Sequence, residues 1–140
     1  MEGLGLAMAR REDQRLLAGL GRFCDDIAVP GSLQAVFVRS PHADAGIIAI
    51  ESQAARESAG VRAVLTGQEL AAMASPLRLA PSFEGRYPVS MPPLPLRDVR
   101  MLGDPVAVVI ADGRVAALDA AERVVVRWDV QEAVASIAAA

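Results

Sequence analysis

Short runs of apolar residues, separated by turn residues, predict a chain organised around β-strands. Residues 33–38, 45–50 and 61–65 are short stretches enriched in Val, Leu, Ile and Phe, as strands usually are. The continuous apolar run 106–110 is typical of a strand that is covered on both faces. Alternate positions of residues 124–129 are apolar, which predicts a further strand with one buried face.

Two short helices are predicted to follow the second and third of these strands. Ser52 stands where an N-cap would satisfy the first backbone N–H groups, and Gly60 is placed to end that helix. Thr66 and Glu69 have the spacing of a capping box, in which each side chain bonds the other residue's backbone. A second helix is therefore expected to begin after Thr66 and to continue through Met73.

Residues 114–123 predict a third helix, one with a face of small side chains. Ala117, Ala120 and Ala121 lie on this face, which suits close packing on a sheet. The apolar run 106–110, this helix and the strand that follows it are expected to form a βαβ unit, in which the two strands lie side by side.

The segment 75–95 is rich in proline, which excludes a helix or a central strand there. Proline lacks the backbone N–H that both structures use. We therefore expect a long loop, which in a compact domain is a functional lid, a partner-docking segment, a disordered segment or a plain surface excursion. The prolines concerned are Pro76, Pro81, Pro88, Pro92, Pro93 and Pro95.

Composition favours a single folded domain over residues 1–140, with the ends, about 1–9 and 136–140, frayed. Hydrophobic residues make up 53% and charged residues 22%, which excludes a disordered chain. The net charge is −3 and no run of basic residues is present, so nucleic-acid binding is not expected.

Cellular location is constrained by cysteine and by the apolar runs. Cys24 is the only cysteine and cannot form an internal disulfide, which suits a reducing compartment. No apolar run approaches the roughly 20 residues that span a bilayer, and the start of the chain does not have the order of a signal peptide. We expect a cytoplasmic protein without membrane contact.

Ser40, His42 and Asp44 have the residue types of a nucleophilic triad, but their spacing favours a turn. A working triad needs the imidazole between the other two groups in space, and alternate positions in sequence do not provide that. Pro41 also interrupts the strand geometry that would align them. These side chains are therefore expected to be satisfied polar groups of a turn.

The remaining candidates for chemistry are expected to be structural. Asp25 and Asp26 indicate a capped or solvated turn rather than a catalytic carboxylate pair. Cys24 is expected to be a small buried residue, and one Cys with one His provides no ligand set for a closed zinc site. No catalytic, cofactor-binding or metal-binding residue is predicted in this chain.

Several blocks of residues, taken in their order along the chain, resemble one family. The blocks are 10–26 (RREDQRLLAGLGRFCDD), 30–31 (PG), 38–43 (VRSPHA), 60–67 (GVRAVLTG), 103–107 (GDPVA) and 119–122 (DAAE). Together they are similar to the start of the molybdenum-cofactor subunit of molybdenum hydroxylases, the family of aldehyde oxidase, xanthine dehydrogenase and the aerobic carbon monoxide dehydrogenase large subunit. The resemblance implies an α+β fold, the α/β hammerhead, with a small mixed sheet, short helices and the long proline-rich loop.

The resemblance also implies a function in which this chain holds no complete active site. The family's cofactor-binding segments and catalytic glutamate belong to later domains. The chain is thus expected to be a structural N-terminal domain or split subunit of a complex that oxidises an aldehyde, an N-heterocycle or a similar small molecule. A free-standing binding or assembly module is the alternative, and a split subunit, a truncated reading frame and an excised domain all stay open.

The cofactors and partners of such a complex follow from the same resemblance. The assembled complex would contain the molybdenum cofactor, iron–sulfur clusters and FAD, none of them bound by this chain. Its partners would be a catalytic molybdenum-cofactor domain or subunit, an iron–sulfur subunit and a flavin subunit.

A domain of such a complex should carry surfaces for its partners. Arg39 closes a strand in the best-matching block and is expected, with Arg10 and Arg15, to form buried or interfacial ion pairs.

An exposed apolar patch is expected around the proline-rich loop, formed by Met91, Leu94 and Leu96. If this loop docks on the catalytic partner, residues 82–97 should gain the most protection from hydrogen exchange.

Overall fold

The computed structural model describes residues 5, 8, 10–79 and 89–139. The chain forms two compact units, Met1–Ser32 and Leu33–Ala140. The first unit contains the short helix α1 (Asp13–Leu17) and a 3₁₀ turn at Cys24–Asp26, and neither element buries a residue.

The 3₁₀ turn confirms the turn predicted at Asp25 and Asp26. The Asp26 carboxylate accepts a hydrogen bond from the backbone N–H of Phe23 at 2.9 Å, which stabilises the turn locally. The predicted burial of Cys24 is wrong: this residue is exposed, because the turn that carries it packs no side chain into a core.

The second unit contains eight strands and three helices among the residues described. The elements are β1 (Gln34–Arg39), β2 (Ala45–Glu51), α2 (Gln53–Arg56), β3 (Val61–Thr66), α3 (Gly67–Met73), β4 (Leu77–Leu79), β5 (Val89–Met91), β6 (Asp98–Val99), β7 (Pro105–Ala111), α4 (Arg114–Ala121), β8 (Val125–Val130) and a 3₁₀ turn at Ile137–Ala139. The strands predicted from apolar runs are confirmed as β1, β2, β3, β7 and β8. No helix in the described ranges is long and apolar enough to cross a membrane.

These strands form two three-stranded sheets and a two-stranded ribbon, and every pairing is antiparallel. β7 is the central strand of the first sheet, between β1 and β3, and β2 is central in the second, between β6 and β8. The ribbon pairs β4 with β5. Side chains on both faces of β7 are buried, which confirms the prediction for the run 106–110.

The predicted βαβ unit is wrong, because β7 and β8 belong to different sheets. β7 already has a neighbour on each edge, so no edge remains for a parallel partner. β8 instead pairs with β2, with Trp128 opposite Ile47. Its predicted alternation is confirmed, since Val126 and Trp128 are half-buried while Val125 and Arg127 are exposed.

Two clusters of apolar side chains form the core of this unit and join its sheets. One contains Val64 and Val109 with buried alanines of α2 and α4, and the other contains Val106 of β7. The side chains that pack against both clusters are Val38, Ile50 and Val126. Because these three come from β1, β2 and β8, the two sheets share one continuous core.

Small side chains let α4 pack on the first sheet. Ala117 and Ala120 are fully buried, which confirms the predicted small-residue face. Ser52 is the N-cap residue of α2, as predicted. The predicted hydrogen bond from its side chain to the start of the helix is wrong, because the Ser52 side chain does not cap α2. The Ser52 hydroxyl instead accepts a hydrogen bond from Nε of Arg56 at 3.1 Å.

The capping box predicted from Thr66 and Glu69 is confirmed at the start of α3. Oε2 of Glu69 accepts hydrogen bonds from the Thr66 backbone N–H at 2.8 Å and from the Thr66 hydroxyl at 2.9 Å. Oε1 accepts one from Arg56 at 2.7 Å. Partial burial on its own would raise the pKa of Glu69, but the hydrogen bonds from Thr66 and the charge of Arg56 together lower this pKa below its usual value.

We predict that the stabilisation from Glu69 is lost in acid. Because its pKa is lower in the folded chain than in the unfolded chain, the contribution is fully present above the unfolded value of 4.5 and is lost as the pH falls through the folded value. At neutral pH, Glu69→Gln should lower the free energy of unfolding by about 0.5 kcal/mol.

Urea denaturation of wild type and Glu69→Gln across this pH range checks the prediction. The two free energies of unfolding should converge in acid. The matched control is Glu132→Gln, which removes an exposed carboxylate outside any helix or strand. A difference between wild type and Glu69→Gln that is constant with pH would contradict the prediction.

The proline-rich segment is not the continuous loop that was predicted, because two short strands form near its ends. β4 and β5 pair with Leu77 opposite Met91, and neither strand contains a proline. The prediction that this segment contains no central strand is confirmed for its described residues, since the ribbon of β4 and β5 belongs to neither three-stranded sheet. Residues 80–88 lie outside the described residues, and with them part of the predicted docking segment 82–97.

The predicted exposure of Leu94 is wrong, whereas Met91 and Leu96 are exposed as predicted. Leu94 keeps only 1% of its surface accessible. Its carbonyl oxygen would lie 3.2 Å from a Cβ atom added to Gly67, and the carbonyl of Pro95 is closer still. Because Gly67 has no side chain, this segment can approach α3 closely enough to bury Leu94.

Candidate functional site

Ser40, His42 and Asp44 form no catalytic triad. The Ser40 hydroxyl is buried, donates to the carbonyl oxygen of His42 at 2.8 Å and accepts from the backbone N–H of His42 at 3.0 Å. Asp44 pairs with Arg100 at 3.2 Å rather than with the imidazole, which packs edge-on against Trp128. The turn interpretation is confirmed, since each group has a structural partner.

The described residues do not fit a molybdenum, iron–sulfur or flavin site. No three His, Cys, Asp or Glu side chains in the described ranges are grouped closely enough to hold a metal ion. Cys24 cannot hold an iron–sulfur cluster alone, because such clusters need several thiolates. A dinucleotide-binding loop between a strand and a helix contains three glycines. The junction of β7 and α4 contains one, Gly113. No step of an oxidation is therefore assigned to this chain.

Arg39 does not form the predicted buried ion pair within the described part of the chain. Its guanidinium donates to the carbonyl oxygen of Gly103 at 2.8 Å on the surface, because the end of β1 brings a backbone carbonyl rather than a carboxylate within reach. Arg10 forms an exposed pair with Asp13 at 3.9 Å. An interfacial role for these two arginines and for Arg15 stays a prediction.

A large open groove of about 560 Å³ lies in the second unit. Residues from the segments 90–93, 95–98 and 100–105 line it, four prolines among them, and we call it the proline groove. Met91, Leu96 and Met101 contribute exposed apolar side chains to its walls. Groups of exposed apolar side chains of this kind commonly mark binding surfaces.

Four charged residues line the proline groove, and three of them have partners within the chain. The guanidinium of Arg100 pairs with Asp44 at 3.2 Å and with Asp98 at 3.9 Å. The Asp104 carboxylate accepts hydrogen bonds from the backbone N–H groups of Arg100 and Met101 at 2.8 and 3.0 Å. These charges are therefore already engaged in holding the groove walls.

Arg97 is the fourth charged residue of the groove. Its carbonyl oxygen accepts a hydrogen bond from the backbone N–H of Ile47 at 2.6 Å, which fixes the main chain beside β2. None of the ion pairs or side-chain hydrogen bonds found among the described residues involves its guanidinium. The groove therefore presents one positive charge that no carboxylate of the described chain neutralises.

A smaller cavity of about 230 Å³ shares Pro95 and Leu96 with the proline groove. Residues 66–68 at the start of α3 also line it, together with β2 at the point where the register shifts between Ile47 and Ala49. This irregularity leaves Ile48 without a partner on β8 and 66% exposed. None of the described residues that line the cavity has an ionisable side chain.

Comparison with known proteins places this architecture in a family. The family model for "Aldehyde oxidase and xanthine dehydrogenase, a/b hammerhead domain" matches residues 18–132 of the 140. The chain belongs to this hammerhead family. The family and the α+β fold expected from the ordered sequence blocks are thereby confirmed.

The hammerhead domain is similar to parts of much longer proteins. It is 40% identical over 121 residues to the nicotine 6-hydroxylase large subunit of Paenarthrobacter nicotinovorans. That alignment covers 86% of this chain and 15% of the relative. The domain is 37% identical over 133 residues to the carbon monoxide dehydrogenase large chain of Afipia carboxidovorans, covering 92% and 15%. The crystal structure of quinoline 2-oxidoreductase from Pseudomonas putida 86 matches with a TM-score of 0.84 and 36% identity, over 96% of this chain and 17% of that one.

Part of the proline groove of the hammerhead domain was predictable from the sequence. Met91 and Leu96 were predicted to belong to a docking surface, whereas Arg97 beside them was not among the predicted residues. The signal was present in Leu96-Arg97-Asp98, where an arginine directly follows an exposed apolar residue. Which arginine lacks a partner depends on contacts between distant segments, and the sequence does not contain that information directly.

Proposed function

We propose that this hammerhead domain is a structural part of a molybdenum hydroxylase large subunit and contributes no reacting group to the oxidation. The family match over residues 18–132 is the observation that supports the proposal most strongly. The two relatives described above are named as large subunits or chains of a hydroxylase and a dehydrogenase.

The assembly is proposed to carry the molybdenum cofactor, iron–sulfur clusters and FAD on other domains or subunits. Its substrate is proposed to be an aldehyde, an N-heterocycle or a similar small molecule. Nicotine and quinoline, which appear in the names of two relatives, are both N-heterocycles and favour that class. We further propose a cytoplasmic location, which suits a chain whose single cysteine forms no internal disulfide.

We expect molybdenum, iron and flavin to co-purify with the native assembly that contains this domain and to be absent from the domain expressed alone. The assembly is isolated through a tag on this chain, its metals are measured by mass spectrometry and its flavin by absorption after denaturation. The domain alone, passed through the same columns, is the control.

Two outcomes would contradict this expectation in different ways. An assembly that retains the chain without molybdenum would favour the free-standing binding or assembly module. Stoichiometric metal that stays on the isolated domain after chelation would show a metal site in the chain itself.

A further inference from the structure

We propose that the proline groove binds an extended segment of a partner polypeptide, one that carries an apolar side chain next to a carboxylate. The inference rests on the surface chemistry of the groove and does not require the proposed oxidation. Three features of the groove carry it: its apolar walls, the edge of β5 that pairs with no described strand, and the charge of Arg97.

The apolar walls favour an apolar ligand side chain. Met91, Leu96 and Met101 are 50%, 43% and 65% exposed, and four prolines line the groove with them. Covering these side chains removes apolar surface from water, which is favourable at about 25 cal/mol for each Å². The prolines of the walls have little conformational freedom to lose on binding, so the entropy cost that offsets this gain is smaller.

The edge of β5 favours a polypeptide over a small molecule. β5 pairs with β4 on one side, and no described strand pairs with its other side. Ser90 and Met91 of this strand line the groove. An extended segment offers backbone N–H and C=O groups at the spacing of a strand edge, and a neighbouring groove then selects its side chains.

Arg97 favours an acidic residue in the same segment. Asp98, Arg100 and Asp104 already have partners, whereas no carboxylate among the described residues pairs with the Arg97 guanidinium. A guanidinium can bind a carboxylate through two parallel hydrogen bonds. One such charge beside apolar walls is too little for nucleic acid, which requires a positive stripe.

Two synthetic peptides of about ten residues, long enough for an extended strand, test this proposal. Both have the same alternating apolar pattern, and they differ only in carrying Glu or Lys at the intervening positions. Their affinities for the full chain are measured by fluorescence anisotropy for wild type, Arg97→Glu and the control Arg114→Glu. The control places the same charge reversal on an exposed residue at the start of α4, outside the groove.

We expect the Glu peptide to bind wild type about tenfold more tightly than the Lys peptide. Arg97→Glu should reverse this order, whereas Arg114→Glu should keep it. Leu96→Ala should weaken both peptides by a similar factor. Because a reversal requires a folded groove, it cannot result from unfolding of the variant.

Three results would overturn the proposal. One is an unchanged order of the two peptides with Arg97→Glu, and another is the absence of binding by either peptide at millimolar concentration. The third concerns a second copy of this chain as the occupant. If sedimentation shows wild type to be a dimer that Leu96→Arg dissociates, and neither peptide competes, the groove is a self-association surface instead.

Discussion

Gly67→Ala should lower the free energy of unfolding by about 3 kcal/mol, the upper end of what overpacking usually costs. The added Cβ atom would overlap the carbonyl oxygen of Pro95 and lie 2.9 Å from its carbonyl carbon. Both atoms belong to the backbone, so rotation of a side chain cannot relieve the overlap. The segment would have to move away from α3 and withdraw Leu94 from the core.

Urea denaturation followed by the fluorescence of Trp128, the only tryptophan, measures this loss. Gly46→Ala is the matched control, because its Cβ would meet Asp129 at an ordinary 3.5 Å. Alanine is intrinsically more favourable than glycine within a strand by roughly 0.5–1 kcal/mol, so this variant should be neutral or slightly more stable. Equal losses in the two variants would show that the backbone contact is not the cause.

Leu94→Ala should also cost about 3 kcal/mol, because it leaves a cavity where a fully buried leucine was. The Leu94 side chain is among the largest of those that are fully buried. The loss should appear as a lower urea midpoint with an unchanged slope, which indicates a change in stability without a change in the surface exposed on unfolding.

Leu96→Ala, two positions along the same segment, is the control for that experiment. Leu96 is 43% exposed, so its truncation should cost no more than about 1 kcal/mol. The comparison holds the residue type and the proline-rich surroundings nearly constant while burial differs. Similar losses for the two leucines would mean that Leu94 is not part of the core.

The local structure was largely predictable from the sequence because it depends on near neighbours. The apolar run of β7 requires burial on both faces, and the capping of α3 requires only Thr66 and Glu69 at the right spacing. The small face of α4 likewise follows from helical periodicity. Each of these predictions uses residues that are close together along the chain.

The pairing of strands was not predictable by the same means. The expected βαβ unit failed because β7 is occupied on both edges by strands from earlier in the chain, which local patterns do not reveal. Leu94 and Leu96 illustrate the same limit, since both lie among prolines and only the approach of Gly67 to Pro95 determines which is buried. Asp44 pairs with Arg100, 56 positions along the chain, and not with Arg97, and that too is a tertiary contact.

The strand order of the two sheets has a consequence for how the chain folds during synthesis. The first sheet cannot form before β7 is synthesised, because β1 and β3 both pair with β7, and the second sheet cannot be completed before β8. Until then β1, β2 and β3 are apolar strands with unpaired edges, a state in which nascent chains aggregate. Because Val38, Ile50 and Val126 pack against both apolar clusters, and Val126 belongs to β8, the shared core cannot be complete until this last strand has emerged.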